Sequence, residues 1–265
     1  MDLGLKGKIA IITGGTHGIG KAAALSLSRE GAMVAIAART KSDLNKACND
    51  ITNETGNEVI GVPTDVRNES MVENLIKTVI KKWGKIDILV NNAGTSSSYQ
   101  LDEMTNEILT EDLELKVYGA IFCVRHSINY LKKSKNGSII NITTPGGKHA
   151  FTGPGNQPTS LSRAAGISLT KSWSKEFSQH NIRVNTVCVG KLKSRQNRNR
   201  WKLINEKDPT YTLEKHWETE GTDVPLGRVG EAIEAGDVIC FLSSSRSSYV
   251  TGASVNVDGG TSPVV

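Results

Sequence analysis

The sequence predicts an α/β protein with a doubly wound parallel sheet and helices on both faces. Short runs rich in Val and Ile recur without polar alternation, which is typical of strands buried on both sides. Amphipathic stretches of helical length separate these runs, and such alternation predicts strand–helix–strand units. The strands are predicted at 8–13, 33–38, 58–63, 86–92, 137–143, 182–189 and 253–258, and the helices at 21–30, 41–54, 70–83, 107–132, 160–179 and 231–242.

The first four strands lie in the N-terminal part of the chain. KIAIIT (8–13) precedes a glycine-rich turn and a helical stretch, and MVAIAA (33–38) precedes a second, more polar helical stretch. EVIGVP (58–63) and IDILVNN (86–92) follow, and each again ends where a helical pattern comes next. This order predicts parallel strands that are joined by helices.

The remaining strands are GSIINIT (137–143), IRVNTVCV (182–189) and ASVNVD (253–258). The stretch 190–224 interrupts the pattern, because it loses the strand signal and carries several bulky residues. We interpret it as a partly helical insertion beside a cleft, in the place of a substrate loop. No low-complexity linker, repeat or acidic tail marks a second domain, so the sequence predicts one domain over 1–265.

Composition narrows the class of protein. The 265 residues carry a net charge of +5, which permits a polyanionic partner without requiring one. No apolar run approaches the roughly 18 residues that span a bilayer, and the N-terminus lacks the apolar core of a signal peptide. We therefore expect a soluble cytoplasmic protein with no membrane partner. The cysteines are scattered singly, which indicates reduced structural thiols and no metal site.

A glycine-rich turn stands between the first strand and the first helix. Glycines there let the backbone bend sharply and approach a pyrophosphate, which the free N–H groups and dipole of the helix N-terminus stabilise. A glycine-rich loop alone can be a plain tight turn, but the strand before it and the helix after it favour dinucleotide binding. The residues of this turn assigned to the cofactor are Gly14, Thr16, His17, Gly18, Ile19 and Gly20.

The end of the second strand indicates which dinucleotide binds. An NAD site usually presents Asp or Glu there to the ribose hydroxyls, whereas this sequence places Arg39 there and no carboxylate. Arg39 can pair with a 2′-phosphate in bidentate geometry, and His17 can add a donor. The sequence therefore favours NADP(H) over NAD(H). The alternatives are that Arg39 is a surface arginine and that His17 is an ordinary turn residue.

Several motifs together resemble the short-chain dehydrogenase/reductase family. They are Thr13-Gly14-x-x-x-Gly18-x-Gly20, Asp65-Val66 after the third strand, Asn91-Asn92-Ala93-Gly94 after the fourth, GSIINIT, RVNTV and VTGASVNVDGG. The resemblance covers almost the whole chain. It implies a Rossmann-type domain of the family's classical type, which forms a homodimer or homotetramer.

The same resemblance implies further cofactor contacts. Asp65 and Val66 would border the adenine. Asn92, Ala93 and Gly94 would line the adenosine ribose. Gly190 and Leu192 would lie at the nicotinamide.

All four positions at which family members usually catalyse differ in this chain. The family uses Asn, Ser, Tyr and Lys, the last two spaced as Y-x-x-x-K. Matching the motifs places Lys116 at the asparagine, Thr144 at the serine, Thr159 at the tyrosine and Arg163 at the lysine. In the Pro-Gly pair that usually follows the sixth strand, Val189 replaces the proline.

These exchanges alter the proton chemistry. Carbonyl reduction builds an alkoxide, which needs a proton from a group whose pKa lies near the working pH. A threonine hydroxyl is far less acidic than a phenol, so Thr159 is a poor proton donor. Thr144 can still hydrogen-bond a substrate oxygen, and Arg163 can bind the nicotinamide ribose but cannot transfer a proton. Loss of the acid alone costs about 10²- to 10⁴-fold in rate.

Another group would have to supply the proton. Lys116 is the first candidate, because burial beside a cofactor lowers a lysine pKa. Alternatively, Lys116 extends to solvent or pairs with Glu114 or Glu111. The substitutes for Lys116 as proton donor are His149, Tyr118 and Tyr99. The ordinary interpretation of His149 is a solvated loop residue, and that of the two tyrosines is packing of their rings.

The stretch 191–202 reads KLKSRQNRNRWK, with six basic residues and no acidic one. By the family resemblance it lies in the substrate loop, where it would favour a small anionic substrate; a solvated helix face is the alternative. Nucleic acid is not expected as a partner, because only one aromatic residue accompanies the charge.

Three functions are consistent with these residues. The first is an NADP(H)-binding oxidoreductase with an altered active site. The second is an enzyme that uses the dinucleotide for chemistry that needs no tyrosine acid, such as reduction of an activated C=C bond, a lyase step or a hydrolytic step. The third is a catalytically silent dinucleotide-binding subunit or sensor.

Overall fold

The secondary structure alternates between strands and helices along the chain. The computed structural model describes residues 1–149 and 157–265. The strands are β1 (Ile9–Thr13), β2 (Met33–Ala38), β3 (Val59–Pro63), β4 (Ile88–Asn91), β5 (Ser98–Tyr99), β6 (Gly137–Thr143), β7 (Gln157–Pro158), β8 (Ile182–Val189) and β9 (Ser254–Val257). The α-helices are α1 (Gly18–Arg29), α2 (Lys41–Thr55), α3 (Glu69–Trp83), α4 (Asn106–Leu113), α5 (Gly119–Leu131), α6 (Thr159–Glu176), α7 (Arg195–Asn205), α8 (Leu213–Gly221) and α9 (Ala232–Ser243).

Seven of the strands form one parallel sheet in the order β3-β2-β1-β4-β6-β8-β9. Every neighbouring pair in it is parallel. The chain therefore crosses over between strands through helices, and the predicted doubly wound α/β fold is confirmed. The winding changes direction between β1 and β4, and ligands of such sheets bind outside the carboxyl ends of the strands at this point.

The sheet is buried on both faces, as its unalternating apolar runs predict. In β1, Ala10 and Ile12 pack toward the face covered by α1, α2 and α9, while Ile9 and Ile11 pack toward α3, α5 and α6. All four side chains are completely buried. Burial of this apolar area is the main favourable term that holds the layers together.

The predicted helix at 107–132 is interrupted in the structure. It consists of α4, a π-helical turn at Glu114–Tyr118, and α5. A π-turn inserts a residue into the helical ladder, and such bulges often occur at functional sites. The turn carries Lys116, whose side chain is almost completely buried.

The structure also contains two features beside the cleft. A small antiparallel sheet pairs β5 with β7; its strands are too short to produce a periodic signal in the sequence. The stretch 190–224 contains α7 and α8, which begin at the capping side chains of Ser194 and Thr212.

The described residues contain no helix that is long and apolar enough to cross a membrane. They also hold no group of three or more His, Cys, Asp or Glu side chains placed to bind a metal ion.

We expect Asp87→Asn to destabilise the fold in a pH-dependent way. The Asp87 carboxylate accepts hydrogen bonds from the Ile9 N–H (2.9 Å), the Ser134 hydroxyl (2.7 Å) and the Lys8 ammonium (3.3 Å). Burial alone would raise its pKa, but these donors hold the pKa below its ordinary value. The variant should lose about 1–3 kcal/mol of unfolding free energy at pH 7 in urea titrations.

The sign of the pH effect follows from the lowered pKa. The ionised carboxylate adds to the free energy of unfolding above the unfolded-state pKa of about 3.9. This added stability is lost as the pH falls through the lower folded-state pKa. The difference between wild type and variant should therefore shrink in acid. Asp102→Asn, at an exposed position, is the control and should leave stability unchanged. A difference that is constant with pH would contradict this account.

Candidate active site

A cleft of about 720 Å³ opens at the carboxyl ends of the central strands. The residues that the sequence assigns to the cofactor line it, except Gly20, which is buried beneath the turn. Those residues are Gly14, Thr16, His17, Gly18, Ile19, Arg39, Asp65, Val66, Asn92, Ala93, Gly94, Arg163, Gly190 and Leu192.

The glycine-rich turn needs its glycines for two different reasons. Gly14 and Gly18 have φ of +65° and +53°, a region that side chains disfavour. A Cβ on Gly20 would lie 2.3 Å from the carbonyl oxygen of Gly14, so helix α1 can approach the turn only without a side chain there. Apart from its chain neighbours and the backbone of α1, no described residue has an atom within 4 Å of a Cβ built on Gly18, which leaves the start of α1 open to a phosphate.

Thr13 and Asn92 lock the turn onto β4. The Thr13 hydroxyl accepts hydrogen bonds from the N–H groups of Asn92 and Ala93, both at 3.0 Å. The Asn92 amide donates to the carbonyl oxygens of Thr13 (2.8 Å) and Gly14 (3.1 Å). This role of Thr13 was not predicted from the sequence, although the position of Thr13 at the end of β1 is a signal for it.

The far end of the cleft is basic. Arg39 is exposed and makes no hydrogen bond or ion pair within the residues that the structure describes. Asp65 binds Arg67, which holds the pKa of that carboxyl below its usual range. Burial and the positive charge of Arg195 lower the pKa of His17. An unpaired arginine beside an open helix N-terminus fits a phosphorylated dinucleotide.

Two of the four exchanged catalytic positions, Lys116 and Thr159, are directly hydrogen-bonded to each other. The Lys116 ammonium donates to the Thr159 hydroxyl oxygen at 2.8 Å and forms a buried ion pair with Asp112. The Ser97 N–H also donates to this hydroxyl oxygen, at 3.0 Å. Both bonds use lone pairs of the oxygen, so the Thr159 proton is directed to neither. Thr159 lines the cleft, and its hydroxyl therefore connects Lys116 to it.

The alternatives for Lys116 are wrong, because it neither reaches solvent nor pairs with Glu114 or Glu111. Its partner is Asp112, one helical turn earlier, which sequence reasoning missed despite the i,i+4 spacing. The second carboxylate oxygen of Asp112 is buried and unpartnered within the described residues.

Lys116 has a pKa suited to proton transfer. Burial, together with the positive charge of Arg163, lowers its pKa to about 8 even though Asp112 acts in the opposite direction. Lys116 lines a small cavity of about 20 Å³ behind the cleft, and Arg163 lines both spaces.

Arg163 is held by its surroundings. One terminal nitrogen donates to the Ile142 carbonyl at 2.8 Å, while its Nε is buried without a partner in the described part of the chain. A Cβ on Gly94 would lie 3.0 Å from the other terminal nitrogen, so a larger residue at this position would press against the guanidinium. Burial lowers the pKa of Arg163, and the neighbouring Asp112 opposes that shift.

The remaining candidates divide into two sets. Thr144 lines the cleft, and its hydroxyl makes no hydrogen bond to other described residues. Tyr118 and Tyr99 are exposed, and neither they nor His149 are among the described residues that line the cleft. Thr144 therefore shares the cleft wall with Thr159 and Arg163, whereas the three substitutes are not among the described residues that line the cleft.

Acidic side chains neutralise half of the basic stretch at 191–202. Lys191 contacts Glu220 and Asp223. Lys193 binds Glu231, and Arg195 binds Asp43. Arg200 lines the cleft and contacts no acid within the described residues. Among the described residues, its side chain forms one hydrogen bond, to Asn197 at 3.4 Å.

Comparison with known proteins agrees with this architecture. The family model described as Enoyl-(Acyl carrier protein) reductase matches residues 14–262. The chain is 34% identical over 256 residues to the 3-oxoacyl-(acyl-carrier-protein) reductase FabG of Thermotoga maritima, covering 97% of this chain and 98% of that protein.

Two solved structures superimpose over 100% of both chains. The L-sorbose reductase of Gluconobacter frateurii, complexed with NADPH and L-sorbose, is 28% identical with a TM-score of 0.95. A short-chain oxidoreductase of Pseudomonas aeruginosa PAO1, described as containing an atypical catalytic center, is 30% identical with a TM-score of 0.92. The full-length family match and the similarity to FabG show that this protein belongs to the short-chain dehydrogenase/reductase family.

Proposed function

We propose that this protein is an NADP(H)-dependent oxidoreductase that reduces a small carbonyl substrate, with Lys116 as its proton source. The observation that carries the proposal is the 2.8 Å hydrogen bond from the buried Lys116 ammonium to the Thr159 hydroxyl. It connects a group with a pKa of about 8 to the wall of the cofactor cleft. The relationship to an NADPH-bound sugar reductase supports the choice of cofactor and reaction.

Within this proposal, Thr159 relays a proton and is not itself the acid. When bound, NADPH supplies a hydride to the carbonyl carbon. As negative charge develops on the substrate oxygen, the Thr159 hydroxyl gives its proton to that oxygen and takes one from Lys116. The weak acidity of threonine is no obstacle, because the hydroxyl gains one proton as it loses another. Lys116 ends neutral, beside Asp112.

The other residues would orient the substrate and the cofactor and stabilise the negative charge that develops on the substrate oxygen. Thr144 would donate a hydrogen bond to the substrate oxygen, since its hydroxyl has no competing bond among the described residues. Arg163 would hold the nicotinamide ribose. Lys116 and Arg163 together outweigh the single charge of Asp112, so the site favours developing negative charge.

The substrate is proposed to be small and anionic. The relatives indicate two classes, since FabG is named for an acyl-carrier substrate and the sorbose reductase for a neutral sugar. Within this chain the support for an anion is Arg200, because Lys191, Lys193 and Arg195 are already paired. Substrate screening with L-sorbose and with 3-oxoacyl thioesters would separate the two classes.

Titration with NADPH, NADP⁺, NADH and NAD⁺ tests the cofactor assignment. We expect tighter binding of the phosphorylated forms by calorimetry, and Arg39→Ala should weaken NADPH by roughly tenfold with little effect on NADH, because the charge-assisted bond to the 2′-phosphate is lost. Lys6→Ala, a surface change outside the cleft, serves as the control. Equal affinity for NADPH and NADH in the wild type would contradict the assignment to NADP(H).

A homodimer or homotetramer in the cytoplasm completes the proposal. Tyr118 in the π-helical turn and Leu161 on α6 are 49% and 54% exposed, and burying these apolar groups against a second copy would be favourable. Light scattering on the purified protein measures the assembly, and a monomer would contradict this part.

A further inference from the structure

Arg195 crosses the cleft from the substrate loop to the cofactor end. It is the first residue of α7, and a terminal nitrogen of its guanidinium lies 3.4 Å from a carboxylate oxygen of Asp43 on α2. The same nitrogen lies 3.4 Å from the Nδ1 atom of His17 in the glycine-rich turn. All three side chains line the cleft. The guanidinium of Arg195 thus connects helix α7 to the opposite wall of the cleft.

The ion pair between Arg195 and Asp43 is weak enough for another anion to replace Asp43. The side chains are 59% and 33% exposed, and exposed pairs of this kind contribute little to stability. Arg39 lines the same end of the cleft without any ion pair among the described residues. Arg39 and Arg195 are therefore two permanent cations on the wall of this cleft, and a stronger anion can replace Asp43 as the partner of Arg195.

We propose that Arg195 is a cofactor-specificity residue, which leaves Asp43 and binds the 2′-phosphate of NADP(H) together with Arg39. This inference rests on the proposed cofactor. A phosphate offers more negative charge than a carboxylate and accepts paired hydrogen bonds from a guanidinium. The phosphate would then hold α7 over the cleft. NAD(H), which lacks it, leaves Arg195 with Asp43.

Calorimetric titration of two variants tests this assignment. Arg195→Gln should weaken NADPH binding about tenfold or more and leave NADH within about twofold. Asp43→Asn should tighten NADPH binding, because it removes both the competing partner of Arg195 and a charge that repels the phosphate. Arg198→Gln is the matched control, since that residue is exposed on the same helix and its side chain bonds to no described residue.

Limited digestion with trypsin provides a second readout that does not depend on activity. Helix α7 contains cleavage sites at Arg198, Arg200 and Lys202. NADP⁺ should protect these sites in the wild type more than NAD⁺ does. Arg195→Gln should abolish the difference in protection.

The outcomes separate this inference from the proposed function. Equal affinity of the wild type for NADPH and NADH would refute the proposed cofactor choice, and with it this inference. If the wild type discriminates and Arg195→Gln discriminates equally well, only the role of Arg195 is wrong. Equal weakening of both cofactors would also overturn it, since that pattern indicates a contact with the pyrophosphate.

Discussion

Lys116→Met is expected to lower the rate of carbonyl reduction by about 10²- to 10⁴-fold, the range that loss of a general acid costs. Thr159 would keep its hydroxyl, but nothing behind it could replace the proton that it gives away. The affinity for NADPH should change little, because the cofactor would fill the cleft, whereas Lys116 lines the small cavity behind it. Stopped-flow absorbance of NADPH measures the chemical step, and calorimetry measures binding.

The buried Asp112 needs its own control in this experiment. Removing Lys116 alone leaves a carboxylate buried without its partner, which typically destabilises a protein by about 3–5 kcal/mol. The double variant Lys116→Met with Asp112→Asn removes both charges and should recover stability without recovering the rate. Lys116→Arg keeps the ion pair, but a guanidinium does not release a proton, so it should fold normally and remain slow. Normal turnover in any of these folded variants would sink the assignment of Lys116.

The pH dependence provides a third test of Lys116. A proton donor must be protonated to act, so kcat/KM for reduction should be constant below a pKa of about 8. Above that pKa it should fall about tenfold per pH unit, because the neutral amine has no proton to give. The oxidation direction should show the opposite trend. Lys116→Arg should remove the decline, and its persistence there would indicate another titrating group.

The layout of the sheet and the cofactor cleft could be predicted because both depend on local patterns. Strands such as β1 are apolar on both faces, and that signal needs no knowledge of neighbours. Parallel strands end at one edge of the sheet, so residues as distant in sequence as Gly14 and Gly190 had to meet there. The family motifs then indicated which residues at this edge contact the cofactor.

The contacts that carry the chemistry could not be predicted in the same way. Asp112 stands at the right spacing to pair with Lys116, yet the importance of the pair comes from burial, which depends on α6 and the rest of the fold. Arg195 and Asp43 are 152 residues apart, and no local pattern connects them. The two-residue strands of the small sheet are too short for periodicity to register.

The second large effect is expected from placing the usual family pair into this site with Thr159→Tyr and Arg163→Lys together. We expect the turnover of the wild-type substrate to fall by at least about 10²-fold, because the relay hydroxyl that Lys116 contacts is removed. The larger ring would also occupy cleft volume beside Thr144. NADPH consumption with the substrate that the wild type reduces measures this loss.

Single substitutions at Thr159 make the test specific to the hydroxyl. Thr159→Ser keeps an oxygen within reach of Lys116 and the Ser97 N–H, so it should retain most of the rate. Thr159→Val has nearly the same shape without the hydroxyl, and it should lose about as much rate as Lys116→Met. The opposite outcome is equally informative: a wild type that reduces nothing, and a Tyr/Lys variant that gains ketone reduction, would identify a catalytically silent dinucleotide-binding protein. In that case the bond between Lys116 and Thr159 would serve the fold, and the relay would be wrong.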